Sequence, residues 1–137
     1  MVDLPDDSGS LRAIAGRYAD ATGPARTFSA LNVWDMQLKE NKETTFTQPD
    51  GWSTALVVLE GSVTVNGEST VQEAQLVVFS HQGERVHLHA NSDAKVLVLA
   101  GEPINEPIVG YGPFVMNSQT EIAEAVRDFN SGRFGQI

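Results

Sequence analysis

The chain has no cysteine among its 137 residues, which removes disulfide staples, thiolate zinc sites and cysteine nucleophiles together. Basic residues are scarce: 9 Lys plus Arg stand against 18 Asp plus Glu, for a formal charge of −9. That balance repels phosphate backbones and anionic lipid, so direct nucleic-acid binding and a membrane role are not expected. No apolar run approaches the ~20 residues that span a bilayer. The opening stretch, Met1 to Ser10, is acidic and carries Pro5 where a secretory leader needs a basic start and an apolar run. The expectation is a cytoplasmic protein. The P-loop, the dinucleotide-binding glycine pattern and the G-x-S-x-G elbow are also missing, which leaves no motif for nucleotide binding or a hydrolase triad.

What is present is an ordinary globular composition, 41% hydrophobic and 20% charged, enough to fill one core. Residues 1–10 combine Asp, Ser, Gly and Pro and read as a flexible acidic lead-in, and residues 11–137 read as a single domain. Trp34, Met36 and Leu38 alternate with Asp35 and Gln37, the period of a half-buried strand over Leu31 to Leu38. Ala55 to Leu59 is apolar throughout and predicts a central strand covered on both faces. Val63 and Val65 lead into Asn66-Gly67, a two-residue hairpin turn in which both residues need positive φ. Further short strands are expected over Ser69 to Gln72, Gln75 to Phe79, Glu84 to Ala90 and Lys95 to Leu99. Close, regular spacing of this kind predicts an all-β barrel or jelly roll. The period then changes. Ile122, Ala125, Val126 and Phe129 form a helical stripe that should pack on the sheet, with Ser118 and Glu121 as a capping box and Gly132 as the stop.

Leu59-Glu60-Gly61-Ser62-Val63-Thr64-Val65 before Asn66-Gly67 resembles the central hairpin of the cupin superfamily. Gly101-Glu102-Pro103-Ile104-Asn105-Glu106-Pro107 and Tyr111-Gly112-Pro113-Phe114-Val115-Met116-Asn117 resemble the closing segment of pirin-family proteins. Ile14-Ala15-Gly16, Gly23-Pro24-Ala25 and Thr27 are similar to the passage that opens the second half of those proteins. The resemblance implies a cupin double-stranded β-helix, a small β-barrel, with one C-terminal α-helix, corresponding to the C-terminal cupin alone. In the family, quercetinase-type dioxygenase and transcriptional-cofactor activities are linked to iron bound in the N-terminal cupin.

A cupin metal site needs His, Glu and His side chains converging from neighbouring strands. Aligning Gly51-Trp52 with the family's Gly-Phe places Thr47, Pro49 and Ser53 at ligand positions, whereas general cupin spacing places Gln48, Asp50 and Thr54 there. Neither frame supplies a histidine. Downstream, either Val86, Leu88 and Ala90 point inward or His87 and His89 do. Burying three apolar groups is favourable and burying two imidazoles is costly, which favours the first arrangement. The expectation is therefore a protein without cofactor: a metal-free pirin-type cupin acting as a structural or protein-interaction module. The alternative is a quercetinase-like dioxygenase that draws Asp50, His87 and His89 into an iron site. A third reading is a small-ligand pocket lined by Gln48, Asp50, Trp52 and Thr54 near the barrel mouth.

An isolated half of a two-cupin architecture exposes apolar surface, which a second copy or another protein partner would cover. A homodimer is expected at micromolar concentration in size-exclusion chromatography with light scattering, and a monomer alone would count against it.

Overall fold

Strand alternation, more than any single contact, decides where each side chain of this chain sits. The computed structural model describes residues 1–83 and 85–135. Glu84, where the strand expected to run to Ala90 begins, and Gln136 and Ile137, at the end of the expected 11–137 domain, lie outside the described residues. Contacts divide the chain into two compact units, Met1–Pro103 and Ile104–Ile137.

The first unit is built of β1 (Val2–Asp3), β2 (Gly9–Ala15), β3 (Arg17–Tyr18), β4 (Ala21–Thr22), β5 (Leu31–Leu38), β6 (Glu43–Thr47) and β7 (Ser53–Glu60). It continues with β8 (Ser62–Val65), β9 (Ser69–Gln72), β10 (Leu76–Val78), β11 (Arg85–Ala90) and β12 (Ala94–Gly101). A six-stranded sheet has the order β1-β2-β5-β12-β7-β10 and a four-stranded sheet the order β6-β11-β8-β9. Their pairings are antiparallel, and among them only β1–β2 and β8–β9 join consecutive strands, so the sheets are held mainly by long-range pairing. Met36, Leu56, Val58, Val96 and Val98 of the larger sheet share one core with Phe46, Val63, Val86 and Leu88 of the smaller. The all-β expectation holds.

Two local expectations change. The acidic stretch read as a lead-in contributes β1 to the sheet and buries Leu4 and Ser8, because one apolar anchor suffices to dock a segment of otherwise polar composition. Lys39 donates to the Asp7 carboxylate, and that hydrogen bond, with the charge of the ammonium, holds the Asp7 pKa below its ordinary value. On β7 only Thr54, Leu56 and Val58 are buried, while Ala55 and Val57 are half-buried and Leu59 is exposed, so within this unit the outer face of the strand is left partly open.

Turn chemistry follows the sequence closely. Asn66 and Gly67 have φ of 51° and 69°, the paired positive values of a type I′ hairpin. Gly61, between β7 and β8, has φ of 82°, and a Cβ there would lie 2.3 Å from the carbonyl oxygen of Asp93.

The second unit contains β13 (Val109–Tyr111), β14 (Phe114–Met116) and α1 (Gln119–Asn130). The Ser118 hydroxyl accepts from the Glu121 amide at 3.2 Å and donates to its carboxylate at 3.0 Å, fastening the first helical turn. Ile122 and Ala125 are buried, and within this unit α1 packs on the hairpin of β13 and β14. Among the described residues no helix is long and apolar enough to cross a membrane.

Gly61→Ala combines a left-handed backbone with a backbone clash. It should lower stability by at least about 1 kcal/mol, read as a fall in the urea midpoint, and an unchanged midpoint would refute the tight turn.

Candidate functional site

On β11, Val86, Leu88 and Ala90 are buried and His87 and His89 face outward. This is the arrangement that the desolvation argument favours. The register with β6 sets Thr45 opposite His87 and Glu43 opposite His89. Thr45 Oγ1 lies 2.9 Å from His87 Nδ1, and the Glu43 carboxylate lies 3.3 Å from His89 Nδ1 and 3.8 Å from His87 Nε2. The imidazoles are thus occupied by exterior cross-strand partners and do not reach the barrel interior.

Alternation also separates the two candidate ligand frames. Thr47, Pro49 and Ser53 are all exposed, whereas Gln48 and Thr54 are buried and line the mouth of the barrel beside Val86. Asp50 is exposed, and its Oδ1 accepts from the Gly83 amide at 3.0 Å, which ties two loops together. Trp52 is half-buried, with its backbone amide bonded to the Pro49 carbonyl in the same turn. Of the four residues proposed for a ligand pocket, the structure brings Gln48 and Thr54 to the cavity and places Asp50 and Trp52 in the adjoining loop. Asp50, His87 and His89 are not brought together. Among the described residues no group of three or more His, Asp or Glu is placed to hold a metal ion.

The orientation of Gln48 is fixed by a relay that begins at the backbone. The Arg17 amide donates to Asn32 Oδ1 at 3.0 Å, and a backbone N–H can only donate, so Asn32 presents its Nδ2 to Gln48 Oε1 at 2.9 Å. The Gln48 oxygen is therefore occupied, and its buried Nε2 has no hydrogen-bond acceptor among the described residues. A metal ion needs converging lone pairs, and here the inward groups are an amide donor, a hydroxyl and a valine. An iron ion does not fit this interior.

The cavity lined by Gln48 and Thr54 has a volume of about 130 Å³, and Asn66, Phe79, Ser80, Gln82 and Arg85 are among its other walls. Asn32, Asn66 and Arg85 were not marked by motif: Asn32 interrupts an apolar strand, and Asn66 reads as a turn residue. A second, larger groove of about 440 Å³ is lined by Val33, Ala55, Val78 and Leu99 at the outer face of the six-stranded sheet, with Phe79, which packs against the core, at its end.

Comparison with known proteins covers nearly the whole chain. The family model for the pirin C-terminal cupin domain matches residues 33–135. A protein of Pseudomonas aeruginosa that carries the provisional name quercetin 2,3-dioxygenase is 51% identical over 133 residues, covering 97% of this chain and 46% of the relative. Pirin-1 of Arabidopsis thaliana is 34% identical over 143 residues, covering 98% of this chain and 50% of that protein. The crystal structure of a quercetin 2,3-dioxygenase from Acinetobacter baumannii superposes with a TM-score of 0.91 at 49% identity, covering 99% of this chain and 47% of that one. The chain spans about half the length of the curated relatives it matches.

These relatives correct the functional expectation. A cofactor-free structural or protein-interaction module does not agree with a relative at 51% identity that is named as a dioxygenase, nor with a solved dioxygenase at 49%. The names favour the enzyme reading, even though the iron ligands proposed for it, Asp50, His87 and His89, lie apart.

The two faces of β11 predict opposite mutational costs. Leu88→Ala should cost about 2–5 kcal/mol of stability, and His89→Ala less than about 1 kcal/mol. Urea denaturation of both variants checks this, and equal losses would contradict the assignment of faces.

Proposed function

The chain belongs to the pirin family of cupin proteins, and from that premise we propose that it acts as the C-terminal cupin of a quercetin 2,3-dioxygenase-type enzyme whose iron is held by a second cupin. The observation that carries this is the 51% identity to the Pseudomonas relative across 97% of this chain. Iron, when bound in that second cupin, supplies the redox chemistry by which a dioxygenase engages O2.

The contribution of this chain lies in its walls. The groove of Val33, Ala55, Val78 and Leu99 is apolar surface on the open face of the six-stranded sheet, and it is the face we assign to contact with the metal-bearing cupin. Val78, on edge strand β10, is 72% exposed in this unit, so covering it removes apolar area from water and blunts an unpaired strand edge together. Excluding water from such a boundary strengthens every electrostatic interaction on the metal-bearing side.

A chimera in which this chain replaces the C-terminal half of the Acinetobacter enzyme is expected to consume O2 together with quercetin. The chain by itself, purified without a His-tag and supplied with Fe(II), is expected to bind well under one equivalent of metal and to leave quercetin unchanged. A folded but inactive chimera would overturn the functional reading. Stoichiometric iron on the isolated chain would overturn the placement of the metal.

A further inference from the structure

We infer that the second unit is a docking element whose exposed aromatic patch, centred on Phe129 and Phe134, seats on the metal-bearing cupin. The starting point is the apolar stripe of α1. It is covered only at its beginning: Ile122 and Ala125 are buried, whereas Phe129 is 62% exposed. Phe134 is 59% exposed, and the two rings stand 6.4 and 6.1 Å from that of Phe114, centroid to centroid. They lie 6.3 Å from each other, so three rings form one cluster with an open side. Ile104, Ile108, Tyr111 and Val115 are exposed as well. Six of the eleven large apolar side chains that stand exposed among the described residues therefore belong to this one unit. Apolar surface gathered in this way marks an interaction site.

The unit is also too small to stand on its own packing. A body shorter than about 40 residues usually needs disulfides, a metal or a partner to hold its fold. The chain has no cysteine, and among the described residues no group is placed to hold a metal ion. Ile122 and Ala125 are the only side chains of the unit buried among the described residues. A partner is what remains.

The relatives indicate which partner. The pirin C-terminal cupin model runs through the second unit to residue 135, so the unit is an integral part of that domain. Yet the match to this chain accounts for only 46% of the Pseudomonas protein and 47% of the Acinetobacter enzyme. As much chain again accompanies the domain in each of them. On the functional reading proposed for this chain, on which the inference rests, that remainder holds the metal-bearing cupin. A second copy suits the patch less well, because two chains of formal charge −9 repel each other. The residues around the two rings in sequence, Arg127, Asp128 and Arg133, supply both signs of charge, as the polar rim of an aromatic anchor does. The helix that carries Phe129 should then be marginal in the chain alone and firm in the two-cupin protein.

The test compares amide hydrogen exchange in the whole chain with that in the chimera carrying the N-terminal half of the Acinetobacter enzyme. Amides of residues 122–130 should exchange at least about tenfold more slowly in the chimera. Phe129→Ser combined with Phe134→Ser should return them to the rate of the chain alone, whereas Phe129→Leu, which keeps an apolar anchor, should retain the protection. Equal exchange in the chain and the chimera, or protection that survives the double substitution, would overturn the proposal. Protection in the chain alone that rises with protein concentration, together with a dimer in light scattering, would overturn it in favour of a second copy. In the intact Acinetobacter enzyme the corresponding helix should be protected too, and rapid exchange there sinks the proposal whether or not the chimera folds. An inactive chimera with α1 protected supports the docking and removes the dioxygenase reading. An active chimera with α1 unprotected removes the docking alone.

Discussion

A strand with a side-chain period of two has one row to give to the core, and on β11 that row is Val86, Leu88 and Ala90. Moving the register by one residue would expose three apolar groups, at a cost of several kcal/mol, and bury two imidazoles whose present partners lie outside. Because β11 pairs with β6 on one side and β8 on the other, its register propagates to both. Phe46 and Thr44 are thereby carried inward on β6, and the next inward residue along that direction is Gln48. The position of the polar mouth of the barrel is thus a consequence of the apolar layers beneath it.

The mouth itself is organised by satisfaction of backbone polarity. Arg17 must place its N–H somewhere as β2 gives way to the β3–β4 hairpin, and Asn32 provides the acceptor. That single demand sets the sense of two side-chain amides in succession and leaves the buried Gln48 Nε2 without an acceptor among the described residues. The neighbouring Trp34 packs edge-on against Tyr18 and Phe46, with ring centroids 5.1 and 5.5 Å apart, and holds β5 in the orientation that presents Asn32.

Much of the fold is legible in sequence wherever local chemistry and global packing agree. The strand from Leu31 to Leu38, the Asn66-Gly67 turn and the Ser118 cap carry their signals in a few adjacent residues. β2 and β6 are less legible. β2 sets Leu11 in one row with the small Ala13 and Ala15 and puts Ile14 in the other, and β6 offers a single aromatic between threonines, so neither has the apolar contrast that marks a strand. The apolar run of β7 misleads in the opposite direction, because its composition reports a surface that this unit alone leaves partly open. At the site, alternation suffices to place Gln48, Thr54 and the outward histidines. It cannot reveal the Arg17–Asn32–Gln48 relay, whose members are 15 and 16 residues apart and meet only through strand pairing.

The same relay explains why the barrel and iron are poorly matched. A cation site is made by lone pairs turned inward, and three of the candidate acceptors here are engaged elsewhere: Gln48 Oε1 by Asn32, Asn66 Oδ1 by the His87 amide, and one Asp50 oxygen by the Gly83 amide. Beside them the cavity offers the hydroxyls of Thr54 and Ser80 and, exposed at the rim, the Arg85 guanidinium, which repels a divalent ion directly. Adding one histidine at Val86 would not restore a metal site, because a single imidazole among hydroxyls and a guanidinium is not a converging ligand set.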